Sequence, residues 1–184
     1  MKALVLLGGK STRMGREKHN LLVQGEPMYL RLYRLVTELS LPCYLSVSLE
    51  QVPQFEEKPK DFQLLVDQEK GIGPIGGILS AINEDDQSSW LVVACDLVQA
   101  QSETLKYLID SDSIKHDIIT YQQHSKPFFE TTCTIYQPSS FSTIRRQVSL
   151  REYSLQSVLR SLRVKTITPK SDNELKNVNR PEDL

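Results

Sequence analysis

The sequence predicts a single α/β domain in which a mainly parallel sheet is covered by helices on both faces. Short runs of residues that are apolar without alternation recur along the chain, and segments with apolar residues at helical spacing separate them. Strands that are apolar on both sides are typical of parallel sheets buried between helices. The chain has 184 residues, which fits one domain with a substantial core, and no repeat or boundary divides residues 1–184.

Strands are predicted from the apolar runs, and helices from the segments between them. The strands are expected at residues 3–7, 43–47, 64–66, 90–95, 118–121, 133–136 and 164–167. The first helix is expected to open at Pro27 and to end before Pro42. Its apolar face consists of Met28, Leu32, Leu35, Val36 and Leu39. Later helices carry the apolar residues Ile75, Ile78, Leu79 and Ile82, then Leu105, Leu108 and Ile109, then Phe141 and Ile144, and finally Leu155, Val158, Leu159 and Leu162.

The composition argues against nucleic-acid and membrane partners. The chain has 22 basic and 23 acidic residues, so its bulk charge favours neither nucleic acid nor a membrane surface. It contains no run of about 18 apolar residues that could form a transmembrane helix. Met1 and Lys2 lead straight into the first predicted strand, so no signal peptide is expected.

The cysteines and histidines predict neither disulfides nor a structural metal. The cysteines are odd in number, widely spaced and embedded in apolar runs, namely Cys43, Cys95 and Cys133. That pattern is typical of reduced core thiols in a cytosolic protein. The histidines show no ligand spacing with them, and they are His19, His116 and His124. We therefore expect a cytoplasmic protein without a structural metal.

Residues 8–18 form a basic loop directly after the first predicted strand. Gly8 and Gly9 end the apolar run, and four basic residues against one acidic residue give the loop a net charge of plus three. Paired glycines let backbone N–H groups approach a phosphate, and lysines and arginines can neutralise several phosphate oxygens at once. The favoured interpretation is a triphosphate-binding loop, and the alternative is an exposed turn whose charges only solvate it. It is not a P-loop, because that motif requires glycine where the chain has Leu4.

Two aspartates follow predicted strands, Asp67 after the third and Asp96 after the fourth. Ligands of such sheets bind at the carboxyl ends of the strands, so both aspartates and the basic loop belong on one edge. Asp96 suits Mg²⁺, which prefers one or two carboxylates together with phosphate oxygens and water. For either aspartate the alternative is an ordinary turn or cap residue.

A second glycine pattern indicates a different ligand. Gly71, Gly73 and Gly76 form G-x-G-x-x-G, and Asp96 follows Gly76 by twenty residues (96 − 76). A dinucleotide-binding fingerprint has this spacing, but its glycines follow the strand at once. Here residues 67–70 intervene, and a nicotinamide cofactor would leave the basic loop without a role. Dinucleotide binding is therefore a distant alternative.

The run LGGKSTRMGREK at residues 7–18 resembles the signature loop of small nucleotidyltransferases, L-A-G-G-x-S-x-R-M-G-x-D-K. Within that group it most resembles the molybdenum cofactor guanylyltransferase family. Leu7 stands where alanine is usual, and Glu17 where aspartate is usual. The matching positions are Gly8, Gly9, Ser11, Arg13, Met14, Gly15 and Lys18. The resemblance implies a three-layer α/β/α Rossmann-like nucleotidyltransferase fold with a mainly parallel central sheet.

Other segments extend the resemblance over nearly the whole chain. Cys95 and Asp96 resemble the family's C-D-x-P metal motif, with Val98 in place of the proline. Asp67 and the turn at residues 73–77 resemble the family's nucleoside-binding aspartate and G-P-x-x-G turn. The ending NVNRPEDL closely resembles N-V-N-T-P-E-D-L, with Arg180 in place of threonine. Residues 127–136 and 154–159 resemble family segments more weakly.

The resemblance assigns roles to residues of this sequence. It implies that Arg13, Lys18 and Asp96 are catalytic, with Asp96 holding Mg²⁺. It implies acceptor binding by Asn177 and Asn179, for which the residues alone favour a polar tail that caps a short terminal helix. The implied nucleotide-binding residues are Leu6, Leu7, Gly8, Gly9, Lys18, Asp67, Gly76 and Asp96.

The function that the resemblance implies is transfer of GMP from GTP to the phosphate of Mo-molybdopterin, with release of pyrophosphate. Contacts with molybdenum cofactor biosynthesis or acceptor proteins are compatible with it. The alternatives are a related transferase that uses CTP or a sugar-phosphate acceptor, and a non-catalytic nucleotide-binding regulatory module. Leu7 leaves the base open, because its side chain either crowds a purine in the pocket or points into the core. We expect GTP to be preferred over CTP.

Overall fold

The computed structural model describes residues 1–8, 18–55, 63–123 and 127–178, with the side chains of Lys18 and Asp172 left out. The predicted site residues Gly9, Arg13 and Asn179 lie outside the described residues.

The described chain alternates strands and helices, as the apolar pattern predicts. The strands are β1 Lys2–Leu6, β2 Leu22–Val23, β3 Glu26–Pro27, β4 Cys43–Val47, β5 Gln63–Val66, β6 Trp90–Ala94, β7 Ile118–Gln122, β8 Phe129–Tyr136 and β9 Val164–Ile167. The α-helices are α1 Met28–Thr37, α2 Pro74–Glu84, α3 Ser102–Asp110, α4 Phe141–Ser149 and α5 Leu155–Arg160. Short 3-10 helices cover Lys18–Asn20, Leu49–Phe55, Pro138–Ser140 and Asp172–Leu175.

The described strands form a seven-stranded sheet in the order β5-β4-β1-β6-β8-β7-β9, with β2 and β3 as a separate hairpin. Pairing is parallel between β5 and β4, β4 and β1, β1 and β6, and β7 and β9. β8 is antiparallel to both of its neighbours, β6 and β7. All strands of the sheet except β8 therefore point the same way, which confirms the prediction of a mainly parallel sheet.

Helices cover both faces of the sheet, as predicted. Alternate residues of β1 show the division, because Ala3 and Val5 face one core cluster while Leu4 and Leu6 face the other. The first cluster includes residues of α1 and α3, namely Tyr29, Leu32, Val36, Leu105 and Leu108. The second includes residues of α2, α4 and α5, namely Ile75, Ile78, Ala81, Ile82, Phe141, Ile144, Leu155, Val158 and Leu159. The three-layer α/β/α arrangement is thereby confirmed.

The ends of some elements differ from the prediction. Pro27 belongs to β3 rather than to the first helix, because it pairs with Leu22 and keeps an extended ψ of 137°. The helix ends at Thr37, and the chain then turns at Ser40, whose φ is +58°. β8 begins at Phe129, earlier than the apolar run suggests, because the half-buried residues at positions 130–132 are polar.

The sheet buries all three cysteines as thiols, in agreement with the prediction of core cysteines. Burial raises the pKa of the Cys43 thiol to about 12 and raises that of Cys133 further. In the described part of the chain, no helix combines the length and the apolar character that a membrane crossing requires.

Candidate functional site

The carboxyl ends of β1, β4, β5 and β6 bring the predicted ligand-binding segments to one edge of the sheet. The Cys95 N–H donates to Leu6 O at 2.9 Å, which joins the end of β6 to the end of β1. The Asp67 N–H donates to Val47 O at 2.8 Å, which joins the end of β5 to the end of β4. Asp67 and the residue that follows Cys95 therefore flank the start of the basic loop, one on each side.

Gly8 is the point at which the chain leaves β1. Its φ is +80°, in the left-handed region that favours glycine, and a Cβ placed on it would meet no heavy atom within 4 Å. Glycine is therefore required here by backbone conformation rather than by crowding. The exposed Gly8 backbone lies at the sheet edge, a position at which oriented backbone N–H groups can bind an oxyanion.

The side chains of Leu6 and Leu7 point away from the sheet edge into the two cores. Leu7 is fully buried in the same cluster as Val5 and Tyr29, and its carbonyl accepts a 3.3 Å hydrogen bond from Cys95 Sγ. Leu6 lies in the opposite cluster together with Ile75. Of the two orientations that the sequence allows for Leu7, the structure has the one in which the side chain points into the core.

Asp67 is half-buried at the end of β5 and is held by a neighbouring strand. Ser46 Oγ donates to Asp67 Oδ1 at 2.7 Å. Burial raises the pKa of the Asp67 carboxyl, and the hydrogen bond from Ser46 opposes that increase. One carboxylate oxygen is thus fixed by β4, which orients the group toward the sheet edge.

The glycine turn after Asp67 lets α2 pack closely against the sheet. Gly73 precedes α2 with a φ of +75°. A Cβ on Gly77 would lie 2.3 Å from Ser46 Oγ and 2.7 Å from Leu6 Cδ2, closer than real Cβ contacts allow. A Cβ on Gly76 would meet Ile72 Cγ1 at 3.1 Å and Glu69 O at 3.2 Å, a tight but milder contact. Both glycines are therefore packing positions in the first turn of α2.

Asp96 begins the loop after β6, and the C-terminal segment is bonded to it. The Val178 N–H donates to Asp96 O at 3.0 Å. Asn177 consequently stands beside Asp96, and its buried Oδ1 has no hydrogen-bond partner among the described residues. The predicted acceptor-binding segment and the predicted metal ligand are thus adjacent.

Val98 packs the C-terminal segment onto this loop. It is 3% exposed and forms a small cluster with Met28 and Val178. Arg31 of α1 secures the far end of the same loop, because its Nη2 donates to Ala100 O at 2.8 Å. Burial lowers the pKa of Arg31 from its ordinary value. The valine in place of the family's proline therefore contributes an apolar contact that holds residue 178.

A sequence profile described as the MobA-like NTP transferase domain matches residues 3–167. The chain belongs to this family. The molybdenum cofactor biosynthesis bifunctional protein of Synechocystis is 29% identical over 183 residues, which are 98% of this chain and 51% of that protein. The probable molybdenum cofactor guanylyltransferase of Thermococcus sibiricus is 26% identical over 191 residues, covering 100% of this chain and 95% of that protein. The chain thus spans about half of the first relative and nearly all of the second.

A solved structure shows the same fold. Molybdopterin-guanine dinucleotide biosynthesis protein A from Archaeoglobus fulgidus superimposes with a TM-score of 0.80 and 21% identity. The match covers 100% of this chain and 94% of that one. At this identity the likeness establishes the fold of the MobA-like transferase and no more.

Asp96 of this MobA-like transferase is a donor of the kind that magnesium uses. In the described ranges, no group of three or more histidine, cysteine, aspartate or glutamate side chains could hold a metal ion. Mg²⁺ instead needs one or two carboxylates and completes its shell with phosphate oxygens and water. Asp96, at the sheet edge beside the basic loop, is of that kind.

The structure places some predicted residues of this MobA-like transferase together and leaves others undescribed. Leu6, Leu7, Gly8, Asp67, Asp96 and Asn177 lie on the same edge, and Gly76 lies in the adjoining helix turn. Lys18 begins the 3-10 helix Lys18–Asn20, although its side chain lies outside the described atoms. Sequence reasoning missed Ser46, and it included Gly77 only as part of the turn at residues 73–77. A polar residue near the carboxyl end of an otherwise apolar strand was the available sign for Ser46.

Proposed function

We propose that this MobA-like transferase is a molybdenum cofactor guanylyltransferase, which moves GMP from GTP to the phosphate of Mo-molybdopterin. Relatives that carry this name align with the full length of the chain. The observation that supports the proposal most is the bond from Val178 N–H to Asp96 O, since it sets the proposed acceptor side against the proposed triphosphate side. A direct transfer requires the two substrates to meet at such a boundary.

In the proposed reaction, an oxygen of the acceptor's phosphate attacks the α-phosphorus of GTP. A new phosphorus–oxygen bond forms, the bond from the α-phosphorus to the α,β-bridging oxygen breaks, and pyrophosphate leaves with that electron pair. The acceptor phosphate is already ionised near neutral pH, so no general base is needed. No covalent enzyme intermediate is needed either.

The chain's own residues would bind the triphosphate and orient it. The backbone N–H groups of Gly8 and Gly9 would donate to phosphate oxygens, and Arg13 and Lys18 would stabilise the charge that develops in the transition state. Asp96 would hold Mg²⁺, which supplies charge neutralisation at the phosphates when bound. Asp67, oriented by Ser46, would contact the nucleoside.

The orientation of Leu7 favours guanine in this proposal. Because its side chain is fully buried in the core, it does not narrow the space for a purine beside the Gly8 backbone. The steric argument for a pyrimidine therefore disappears. We propose a cytoplasmic enzyme, which agrees with its buried thiols. We also propose that it exchanges its substrate and product with molybdenum cofactor biosynthesis or acceptor proteins.

The test is pyrophosphate release by the purified protein with Mo-molybdopterin and each of the four nucleoside triphosphates, with and without Mg²⁺. We expect release that depends on GTP, on the acceptor and on Mg²⁺. Thermal shifts with the same nucleotides measure binding separately. GTP binding without pyrophosphate release would support the non-catalytic module, and release with CTP or with a sugar phosphate would support the other transferases.

A further inference from the structure

The residue directly after Lys18 is a histidine buried between α1 and the 3-10 helix Leu49–Phe55. His19 is 1% exposed. Its ring stacks on Phe55 with centroids 6.1 Å apart and an interplanar angle of 29°, and it meets Tyr29 edge-on at 5.9 Å. Leu49–Phe55 follows β4, whose Val47 O accepts the hydrogen bond from Asp67 N–H. His19 therefore joins the end of the basic loop to the segment beside Asp67.

One backbone group fixes the orientation of the Gln51 amide next to His19. Gln51 Oε1 lies 2.8 Å from the Ser48 nitrogen, and because a backbone N–H can only donate, that oxygen accepts. Gln51 Nε2 must then be the atom that faces His19 Nδ1, at 3.4 Å, and it donates. His19 Nδ1 is consequently an acceptor and carries no proton.

The other ring nitrogen completes the assignment. His19 Nε2 lies 3.2 Å from Gln54 Oε1, which also accepts from Asn20 Nδ2 at 3.3 Å. Nε2 therefore carries the proton and donates to Gln54. This arrangement has His19 in its Nε2–H form, and glutamine side chains of one short helix contact both ring nitrogens. A proton on Nδ1 would face the Gln51 amide nitrogen, so the contacts favour the Nε2–H tautomer.

We infer that His19 is a positioning residue, which fixes the end of the basic loop through its Gln51 and Gln54 hydrogen bonds and thereby sets the place of Lys18. This inference rests on the proposed function, in which Lys18 is catalytic. Lysine has a long flexible stem, so the reach of its ammonium group depends on how firmly its backbone is held. The backbone of Lys18 is bonded directly to that of a buried residue with two directed hydrogen bonds.

Simple packing does not require this arrangement. An apolar ring would fill the space between Phe55 and Tyr29, whereas a buried imidazole requires partners for both nitrogens. Gln51 is itself 7% exposed and supplies one of them. Directed hydrogen bonds fix the rotation of the ring in a way that apolar contacts do not, and a side chain held at both nitrogens restricts the positions open to its own backbone.

The experiment compares two variants and a control in full-length protein. His19→Phe keeps the aromatic packing and removes both hydrogen bonds, while Gln51→Met keeps the ring and removes its donor. His116→Gln is the matched control, because His116 is a half-buried histidine that precedes β7 at the opposite edge of the sheet. The kcat and KM for GTP are measured from pyrophosphate release, and the melting temperature is recorded for each protein.

We expect His19→Phe to lower kcat by about 100-fold, as a small displacement of a catalytic group does, while KM for GTP changes by less than about threefold. Gln51→Met should also lower kcat, and His116→Gln should leave kcat unchanged. The inference would be overturned if the wild-type protein is active and both variants keep a kcat within about threefold of the wild-type value. If His19→Phe does not fold, Gln51→Met decides alone.

A second measurement is independent of activity. The ¹⁵N shifts of the His19 ring in the ligand-free protein at neutral pH should show a protonated Nε2 and an unprotonated Nδ1. The opposite tautomer or an imidazolium would overturn the assignment. Wild-type protein that releases no pyrophosphate would refute the proposed function, whereas active wild-type protein with unaffected variants would refute only the role of His19.

Discussion

Replacing Gly77 by alanine should disturb the nucleoside side of the site from within the fold. The added Cβ would lie 2.3 Å from Ser46 Oγ and 2.7 Å from Leu6 Cδ2, so at least one of these side chains must move. Ser46 Oγ can rotate away, but it then gives up its 2.7 Å hydrogen bond to Asp67. The substitution thus removes the contact that orients the Asp67 carboxylate.

The expected loss of stability follows from two destabilising contributions and one stabilising contribution. Overpacking costs about 1–3 kcal/mol, and losing a hydrogen bond to a charged group costs about 1.5–3 kcal/mol. The higher helix propensity of alanine relative to glycine offsets about 1 kcal/mol of these costs. Gly77→Ala should therefore reduce the free energy of unfolding by about 3 kcal/mol and weaken GTP binding by about tenfold, the latter corresponding to about 1.4 kcal/mol.

Denaturant unfolding and calorimetric GTP titration test this expectation. Gly76→Ala is the control for stability alone, because it gains the same helix propensity with milder contacts of 3.1 and 3.2 Å, and we expect its free energy of unfolding to be nearly unchanged. Adding Ser46→Ala to Gly77→Ala should restore part of the stability, since the nearest atom is gone, but not the affinity. Equal stability of the Gly77→Ala and Gly76→Ala proteins, together with wild-type GTP affinity in the Gly77→Ala protein, would refute the reasoning.

Four further substitutions test the proposed chemistry and the packing around it. Lys18→Ala should raise the barrier for pyrophosphate release by about 3 kcal/mol, and an unchanged kcat would remove Lys18 from catalysis. Asp96→Asn should abolish the Mg²⁺-dependent release because an amide lacks the charge that Mg²⁺ requires, and near-normal activity at the same Mg²⁺ concentration would exclude Asp96 as a ligand. Leu7→Ala should cost about 2–5 kcal/mol of stability as a core truncation, and a changed order of the GTP and CTP specificity constants would contradict the core position of Leu7. Hydrogen bonds from Arg163 and Ser139 hold the pKa of Asp117 well below its usual range, so that its stabilisation is present above about pH 4 and is lost as the pH falls further. Asp117→Asn should therefore flatten the acid limb of stability measured against pH, and an identical limb in both proteins would contradict this.

The sequence was sufficient for the sheet because its strands are continuous apolar runs, which β1 and β6 illustrate. It was insufficient where polar residues join a strand, as at the start of β8, because half-buried threonines and glutamate do not stand out from a loop. The direction of β8 was equally hidden, since apolar content does not distinguish an antiparallel strand inside a parallel sheet.

The site likewise has residues that the sequence could place and contacts that it could not. Gly8, Asp67 and Asp96 could be placed together because they follow parallel strands, and the geometry confirms that placement. The partners of His19 could not be predicted, because Gln51 and Gln54 lie more than thirty residues away (51 − 19 = 32) in a short 3-10 helix without a periodic pattern. Contacts made by single polar side chains depend on tertiary structure.

The link between Val178 and Asp96 has a consequence for how such enzymes diversify. Because it joins two backbone groups, it constrains the side chain at residue 178 only through the small apolar cluster with Met28 and Val98. Under the proposed function, substitutions at Asn177 would alter which acceptor is selected without loosening the segment that carries residue 177. Selectivity for the acceptor and selectivity for the nucleotide could then change separately, while the backbone hydrogen bond between residues 178 and 96 stays the same.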